Sequence, residues 1–395
     1  MKILQINTLF TPRKCGGAEV FLERLAADLV EREHRVIVAC LSPTPKRHGD
    51  ENLEVHEFKL RNAYWPYEGA KPSRWRKAVW HLRNSFGRGS ARDIGALLER
   101  EKPDLVHTHN LSGLTSTVWK SIRARRIPLV HTIHDYALLC PATTMLKRQT
   151  NTNCASQCVS CRLLSWPNRA NSQSVDAVVG CSRFVLERHL RAGYFTQATK
   201  HVIHNGDPGD ERRNATRAMK TKTLRVGYLG RLAGPKGIES MVEALIPSIP
   251  QQCELLIAGS GEAAYENMLK SRYEPKGVQF VGRVDPTRFL AGVDVLVVPS
   301  LWNEPCPLVL GEALSAGVPI VASAVGGIPE VVEHGRSGFL FEPADGERLR
   351  KYVTRLADDR ELHERMSRSC QVKSETYTFD RTVENYLRVY ESVAN

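Results

Sequence analysis

The chain has 395 residues, of which 42% are hydrophobic and 25% charged. This composition excludes a disordered protein, and the length suits two α/β domains of roughly 150–200 residues each. A net charge of +12 favours anionic partners such as nucleotide phosphates, phospholipid surfaces or nucleic acid. Ten cysteines are too few for a disulfide scaffold at this length, so we expect a reducing cytoplasm as the environment.

The first residues already form a strand pattern, and they lack the long apolar core and cleavage site of a signal peptide. No apolar run reaches the roughly 18 residues that a membrane-spanning helix needs. We therefore expect a cytoplasmic protein without a transmembrane segment.

In the first half of the chain, short apolar runs alternate with segments of helical periodicity, such as 18–32 and 94–101. This alternation predicts a doubly wound α/β sheet. Its buried parallel strands are predicted at 3–6, 36–40, 105–107, 129–133 and 177–179.

A second strand series follows a polar, turn-rich stretch that we interpret as a linker. Its strands are predicted at 224–229, 254–258, 278–281, 295–299, 320–323 and 338–341, and one amphipathic helix is predicted at 379–393. The predicted division is an N-terminal Rossmann-like domain at 1–205, a linker at 206–222, a C-terminal Rossmann-like domain at 223–378 and a terminal helix at 379–395.

A basic, glycine-rich loop follows the first strand of the second series. It contains Gly230, Arg231 and Lys236 and ends where a helix begins. Backbone amides and the helix dipole favour an anion at such a place. Arg231 can grip a diphosphate bidentately, and Lys236 adds a point charge. The alternative is an ordinary surface loop with two solvated cations.

Two carboxylates lie eight positions apart farther along the chain. Glu304 falls in a proline-rich loop after an apolar strand, and Glu312 falls in the helix that follows. Side chains at the carboxyl ends of parallel strands face the crevice where α/β proteins bind nucleotides. This spacing, with Gly317-Val-Pro319 closing the helix, resembles the Glu-x7-Glu motif of family 4 retaining glycosyltransferases of the GT-B fold, in particular members that build exopolysaccharide or O-antigen.

The resemblance implies a set of donor-binding residues in the C-terminal half. Glu304 would contact hydroxyls of the transferred sugar and Glu312 the ribose. Further donor-site residues, at strand ends and around the start of the helix, are Gly230, Gly259, Gly282, Arg283, Cys306, Leu308 and Val309. The family commonly has Phe-Gly where this chain has Cys306-Pro307. Because proline has no N–H to donate, a sugar hydroxyl held by that amide must be held otherwise here.

In the N-terminal half, Gly16 and Gly17 open the first helix, where glycine lets backbone approach a phosphate or sugar closely. The alternative is a plain strand-to-helix turn. The resemblance implies that His109, at a strand end, reaches the donor sugar near its anomeric carbon. His134 and Asp135 follow another strand end, where we expect them to border the acceptor pocket. The alternative is that Asp135 only orients His134 and that both are structural.

Four cysteines follow this segment at Cys140, Cys154, Cys158 and Cys161. Four thiols with the last three closely spaced can form a tetrahedral structural zinc site. Free thiols are the open alternative. The chain shows no Asp-x-Asp motif for a divalent ion at a diphosphate, so no catalytic cofactor is expected.

Residues 61–100 are basic and aromatic, with nine Lys and Arg against three acids and with Trp65, Trp75, Trp80 and Phe86 interleaved. Such a segment suits an anionic membrane surface, where each cation adds about 1 kcal/mol. A solvated helical face is the alternative interpretation.

The resemblance therefore implies a retaining, metal-independent hexosyltransferase with a UDP- or GDP-sugar donor. Its acceptor would be a sugar hydroxyl of a glycan or of a polyprenyl-diphosphate-linked oligosaccharide, reached at the inner face of the plasma membrane. A nucleotide-sugar epimerase of the same fold and a basic nucleic-acid-binding protein are the alternatives. The second is disfavoured because the aromatic residues follow no RNA-binding strand motif.

Overall fold

Strands and helices alternate along nearly the whole chain in the computed structural model, which describes residues 1–13, 16–67, 72–147, 150–208, 223–249 and 253–394. The chain divides into two compact units. The first comprises 1–145, 154–204 and 382–395, and the second comprises 146–153 and 205–381.

Sixteen strands occur in the described residues, and most are short runs in which apolar, buried side chains predominate. In chain order they are β1 (Lys2–Ile6), β2 (Arg35–Ser42), β3 (Arg47–Gly49), β4 (Leu53–Lys59), β5 (Leu105–Thr108), β6 (Leu129–Ile133), β7 (Leu146–Lys147), β8 (Thr152–Asn153), β9 (Ala177–Gly180), β10 (Thr199–Val202), β11 (Leu224–Leu229), β12 (Cys253–Ala258), β13 (Gln279–Gly282), β14 (Val295–Val298), β15 (Ile320–Ser323) and β16 (Gly338–Phe341).

Fourteen α-helices connect these strands in the part of the chain that the structure describes. They are α1 (Gly17–Glu31), α2 (Arg74–Phe86), α3 (Gly89–Glu101), α4 (Thr117–Arg123), α5 (Val159–Asn171), α6 (Arg183–Arg191), α7 (Ile238–Leu245), α8 (Ala263–Tyr273), α9 (Pro286–Gly292), α10 (Leu308–Ser315), α11 (Ile328–Val331), α12 (Gly346–Asp358), α13 (Arg360–Ser374) and α14 (Phe379–Ala394).

The first unit is built on an eight-stranded sheet with the order β10-β9-β6-β5-β1-β2-β4-β3. Every neighbouring pair is parallel except β3 and β4. The chain starts at β1 and builds outward on both sides of it. The point where the strand order reverses therefore lies between β1 and β5, and ligands of open α/β sheets bind at such a point.

The second unit has a six-stranded parallel sheet with the order β13-β12-β11-β14-β15-β16. Its first strand, β11, pairs with β12 on one side and β14 on the other, so the order reverses between β11 and β14. The apolar strand residues and the inner faces of the helices around them form the core of this unit. A small two-stranded antiparallel hairpin, β7–β8, also belongs to this unit.

The doubly wound α/β architecture predicted from the sequence is confirmed. The eleven predicted strands are observed, and each end lies within two residues of its predicted position. Strands β3, β4 and β10 and the hairpin β7–β8 were not predicted from the sequence. In β4 the alternation is hidden because Glu54 and Glu57 are buried, where cationic side chains pair with them. Most of the predicted linker, 209–222, lies outside the described residues.

The predicted C-terminal helix is observed as α14, and its residues from Thr382 onward belong to the first unit. From Thr382 onward, its buried apolar side chains, Val383, Tyr386, Val389 and Tyr390, recur at helical spacing. Tyr390 Oη lies 2.7 Å from His107 Nδ1, so the last helix is tied to the end of β5 by a buried hydrogen bond. No helix within the described residues is long and apolar enough to cross a membrane.

Replacing Tyr390 by Phe should lower the free energy of unfolding of the first unit by about 1–3 kcal/mol, because a buried ring nitrogen of His107 loses its partner. Urea unfolding followed by circular dichroism measures this change. Tyr64→Phe is the matched control, since the Tyr64 hydroxyl makes no hydrogen bond within the described residues. Equal stability of the two variants would show that the α14 contact contributes nothing.

Candidate functional site

Two loops of the second unit meet where its strand order reverses. One follows β11 and runs from Gly230 to Gly237, and the other follows β14 and carries Glu304. The amide of Leu301 in the second loop donates to the carbonyl of Pro235 in the first at 2.9 Å. The basic loop and the loop acid, separated by about seventy residues of sequence, are thus brought side by side.

Lys236 and Glu304 form an ion pair between these loops. Lys236 Nζ lies 2.7 Å from Glu304 Oε1, and Glu304 is only 3% exposed. The same oxygen accepts a hydrogen bond from Ser300 Oγ at 2.6 Å and one from Trp302 Nε1 at 2.7 Å. Three donors therefore fix the carboxylate and offset the cost of burying its charge.

Close backbone packing holds this arrangement, and two glycines permit it. Gly237 has φ +72°, and a Cβ there would lie 1.9 Å from the carbonyl oxygen of Pro299. Gly326 has φ +59°, and a Cβ there would lie 2.0 Å from the carbonyl oxygen of Glu304. Any larger residue would push the Glu304 loop away. The amide of Gly327 also donates to the Glu304 carbonyl at 2.8 Å.

The glycines predicted at the other strand ends lie next to one another. The amide of Gly230 donates to the Ala258 carbonyl at 3.1 Å, and the amide of Gly259 donates to the Gly282 carbonyl at 2.7 Å. Arg283 Nε donates to Ser260 Oγ at 2.7 Å. These contacts place Gly230, Gly259, Gly282 and Arg283 at the carboxyl ends of the neighbouring strands β11, β12 and β13.

Arg231 is exposed, and it pairs with no carboxylate within the described ranges. It follows Gly230 directly and stands in the loop that carries Lys236. An unpaired guanidinium beside backbone amides can bind an anion, since Arg offers a planar fork of donors.

Helix α10 begins at Leu308, directly after Pro307, and carries the second predicted acid. Glu312 lies in its second turn and is 9% exposed. Leu308 and Val309 form the first turn. Cys306, before the helix, is buried, and burial raises the pKa of its thiol to about 12. The thiol therefore stays protonated, which excludes it as a nucleophile near neutral pH.

The hairpin β7–β8 contacts the loop that carries Glu304. The Asn153 side chain uses both its polar atoms there. Its Nδ2 donates to the Leu301 carbonyl at 2.9 Å, and its Oδ1 accepts from the Asn303 amide at 2.9 Å. No role was predicted for Asn153, because the hairpin has no apolar periodicity. Ser300 and Trp302 were not predicted either, although they lie only four and two residues before Glu304.

In the first unit, His109 and His134 lie together at the ends of β5 and β6. His109 Nδ1 and His134 Nε2 are 3.0 Å apart, so one of the two rings donates to the other. Burial, and then the neighbouring histidines His107, His134 and His131, hold the pKa of His109 well below its usual range. Burial also lowers the pKa of His134 to about 4. Both rings are neutral near pH 7, and His109 Nε2 is buried without a hydrogen-bond partner among the described residues.

Asp135 stands next to His134 in the same cluster. Its Oδ1 accepts from the Ala137 amide at 2.7 Å, and its Oδ2 accepts from Asn110 Nδ2 at 3.2 Å. Burial raises the pKa of Asp135 to about 6. A cavity of about 30 Å³ borders His109, His134 and Asp135. This volume suits water rather than a hexose.

Gly16 and Gly17 are exposed at the start of α1, with Gly16 as its N-terminal cap in extended conformation. They follow β1, on which the strand order of the first unit reverses. His109 follows β5, the neighbour of β1, and its amide donates to the Ile6 carbonyl at 2.9 Å. The structure therefore places His109 at the carboxyl end of the sheet, and it places Gly16 and Gly17 after the neighbouring strand β1.

The predicted cysteine cluster is only partly assembled. Cys140 Sγ and Cys161 Sγ lie 3.8 Å apart, while Cys158 Sγ lies 3.2 Å from Ser160 Oγ. All four cysteines are free of disulfides. Among the described residues, three ligand groups within 4.8 Å of one another occur only at Glu54, His56 and Glu101. Arg35, Arg47 and Arg100 pair with that buried group, which is the pattern of an ion-pair network.

Comparison with known proteins gives matches over both units. A family model described as "Glycosyl transferase 4-like domain" matches residues 16–206, and one described as "Glycosyl transferases group 1" matches residues 223–359. The uncharacterized 42.6 kDa protein in the cps region of Klebsiella pneumoniae is 30% identical over 333 residues, which is 84% of this chain and 87% of that protein. N-acetyl-alpha-D-glucosaminyl L-malate synthase of Bacillus anthracis is 30% identical over 401 residues, covering 96% and 94%.

Solved structures of glycosyltransferases resemble the whole chain. Sucrose-phosphate synthase from Thermosynechococcus elongatus has a TM-score of 0.77 at 20% identity and covers 99% of this chain and 98% of its own. Anabaena HepE in complex with UDP-glucose has a TM-score of 0.70 at 20% identity, covering 99% and 100%. At these identities the likeness shows the fold alone, which is GT-B.

Replacing Asn153 by Ala should loosen the loop that carries Glu304, because two of its backbone groups lose their partner. Hydrogen–deuterium exchange should rise in the peptide containing Asn303. Thr152→Ala, on the exposed side of the same hairpin, is the control and should leave this exchange unchanged. Unaltered protection in the Asn153 variant would mean that the hairpin does not hold the loop.

Proposed function

The chain belongs to the group 1 glycosyltransferases, and we propose that within this family it is a retaining hexosyltransferase with a UDP- or GDP-sugar as donor. The observation that carries the proposal is the Lys236–Glu304 pair where the strand order of the second unit reverses. A cation and a fixed carboxylate at this place are suited to a diphosphate and a sugar hydroxyl respectively. Both family models describe glycosyl transferases, and neither describes an epimerase or a nucleic-acid-binding protein.

The loop Gly230–Gly237 would bind the donor diphosphate. Arg231 has no carboxylate partner in the described chain, so its guanidinium is free to take two phosphate oxygens. Lys236 would add its charge where the leaving group departs. Cations held in place before the reaction stabilise the departing diphosphate without reorganisation, so we propose that no divalent ion is required. The α10 carboxylate of Glu312 would accept from the ribose hydroxyls.

Glu304 would hold the transferred sugar. Its Oε1 is occupied by three protein donors, so Oε2 is the atom left for a sugar hydroxyl. The acceptor would then attack from the face that the nucleotide leaves, and the departing phosphate would take the acceptor's proton. In the first unit, neutral His109 would use its unpartnered Nε2 to bind a sugar hydroxyl, with His134 fixing the ring.

The acceptor would be a sugar hydroxyl of a glycan or of a lipid-linked oligosaccharide, used by a cytoplasmic enzyme at an anionic membrane. Helix α2 supports this, since it has four Lys and Arg, no acid, and three exposed apolar side chains, Trp75, Leu82 and Phe86. Trp80, which the sequence analysis assigned to the same surface, is only 8% exposed and packs inward. Fewer aromatic side chains of α2 are therefore available for membrane contact than the sequence predicted.

Glu304→Gln should leave the affinity for UDP-glucose or GDP-mannose within about threefold and lower sugar transfer by about 100-fold or more, because one charged contact to the reacting sugar is lost. Thermal shift measures binding, and release of the nucleoside diphosphate, assayed in EDTA, measures transfer. Glu342→Gln, an exposed acid of the same unit, is the control. Full turnover by the Glu304 variant would remove this residue from the reaction.

The Cys140–Cys161 pair supports the second proposal, a structural zinc. Zinc–sulfur distances of about 2.3 Å place tetrahedral thiolates about 3.8 Å apart, which is the spacing of this pair. Cys154 and Cys158 would complete the site. Protein purified under reducing conditions should contain about one zinc per chain, and Cys140→Ser with Cys161→Ser should contain none. Cys253→Ala, a buried cysteine of the second unit, should keep the metal. Metal-free wild-type protein would establish free thiols.

A further inference from the structure

The first unit contains a second cavity, of about 510 Å³, between α5 and the end of α6. This volume lies within the range of about 300–1,000 Å³ that is typical of small-molecule sites. Among the described residues, four arginines line it, Arg162 and Arg169 on α5 and Arg188 and Arg191 on α6, and no Asp or Glu does. The site proposed above uses none of them.

The four guanidinium groups differ in how they are held. Arg188 donates from Nη1 to the Ala155 carbonyl at 2.6 Å and from its other terminal nitrogen to the Cys154 carbonyl. Arg191 pairs with Glu187 at 2.7 Å on the exposed surface of α6. Two backbone carbonyls thus fix one cation beside the cavity without neutralising it.

The two arginines of α5 have no carboxylate partner within the described residues. They lie seven positions apart, two helical turns, with Trp166 between them, so the three side chains share one stripe of the helix. The Arg169 guanidinium packs against the backbone of Gly193, where a Cβ would come 2.8 Å from Nη2. The cavity therefore carries a net positive charge, and part of that charge is fixed in position before a ligand binds.

An exposed apolar strip borders this cavity. Val159, Leu163 and Trp166 recur at helical spacing along α5 and are 75%, 67% and 65% exposed. Helix α5 packs against α2, which exposes Trp75, Leu82 and Phe86. Neither helix contains an acidic residue. A cationic cavity beside an apolar strip is complementary to a ligand that has an anionic head and an apolar tail.

We propose that this cavity binds the phosphate or diphosphate head of an isoprenoid-type lipid, whose chain lies along the exposed face of α5. Arginine forks are complementary to phosphate oxygens, and Arg162 and Arg169 present two that no carboxylate of the described chain neutralises. The inference rests on the proposed function in one respect: such a lipid would be the carrier of the acceptor glycan. Lipid head and apolar chain would then be held by one unit of the enzyme.

The test uses the full chain and farnesyl diphosphate as a short, water-soluble isoprenoid diphosphate, with binding measured by calorimetry. Farnesyl diphosphate should bind at least about tenfold more tightly than inorganic pyrophosphate or farnesol, since neither supplies both head and tail. Arg162→Gln with Arg169→Gln should weaken its binding by about tenfold or more. Lys120→Gln with Arg126→Gln removes the same charge from α4 and the turn after it, and should change the affinity by less than about twofold.

Three results would overturn the proposal. Unchanged binding in the α5 variant would show that the cavity is not the site. An equal loss in the α4 variant would show attraction to general surface charge. Pyrophosphate binding as tight as that of farnesyl diphosphate would show a free-anion site without a lipid. Binding of UDP-glucose and GDP-mannose to wild-type protein is measured in parallel. Its failure alone would count against the proposed donor site and leave the lipid site standing.

Discussion

The ion pair between Lys236 and the buried Glu304 is the contact around which the candidate site of the second unit is built. Burying a carboxylate is costly unless it is paired and hydrogen-bonded, and here Ser300 and Trp302 complete the set of donors. The pair joins the loops that follow β11 and β14, which are neighbours only because the strand order reverses between them. Sheet topology and local electrostatics thus both favour this place as the candidate site of the second unit.

Backbone constraints surround that contact and explain the local sequence. Gly326 lets the chain pass within van der Waals distance of the Glu304 backbone, and Asn153 bonds the loop from the other side with both atoms of its amide. A carboxylate that is held by packing and hydrogen bonds needs little reorganisation when a sugar binds. The polar hairpin and the glycine are therefore positioning elements of the same loop, although they lie far apart in sequence.

Much of the fold could be predicted because apolar strands and helical periodicity are local signals. Glu304, Lys236 and Arg231 could be selected by motif and charge, but their contacts could not, since these depend on strand order and on loop geometry. Trp75 and Trp80 show a similar limit: both are aromatic residues in a basic helix, yet only the helical phase set by packing decides that one faces solvent. Strand β4 was not predicted because its acidic residues are buried, and the cations that pair with them come from elsewhere in the chain. The arginine cavity was not predicted because it is formed by segments that carry no motif of their own.

A double-mutant cycle tests the central contact most directly. Lys236→Met, Glu304→Gln and the combined variant would be compared with wild type by kcat/KM for release of nucleoside diphosphate from the sugar nucleotide. If the two side chains act as one unit, the losses in the single variants will overlap, with a coupling energy of about 1 kcal/mol or more. Strictly additive losses would show that Lys236 and Glu304 act independently, and this would contradict the proposed role of their ion pair.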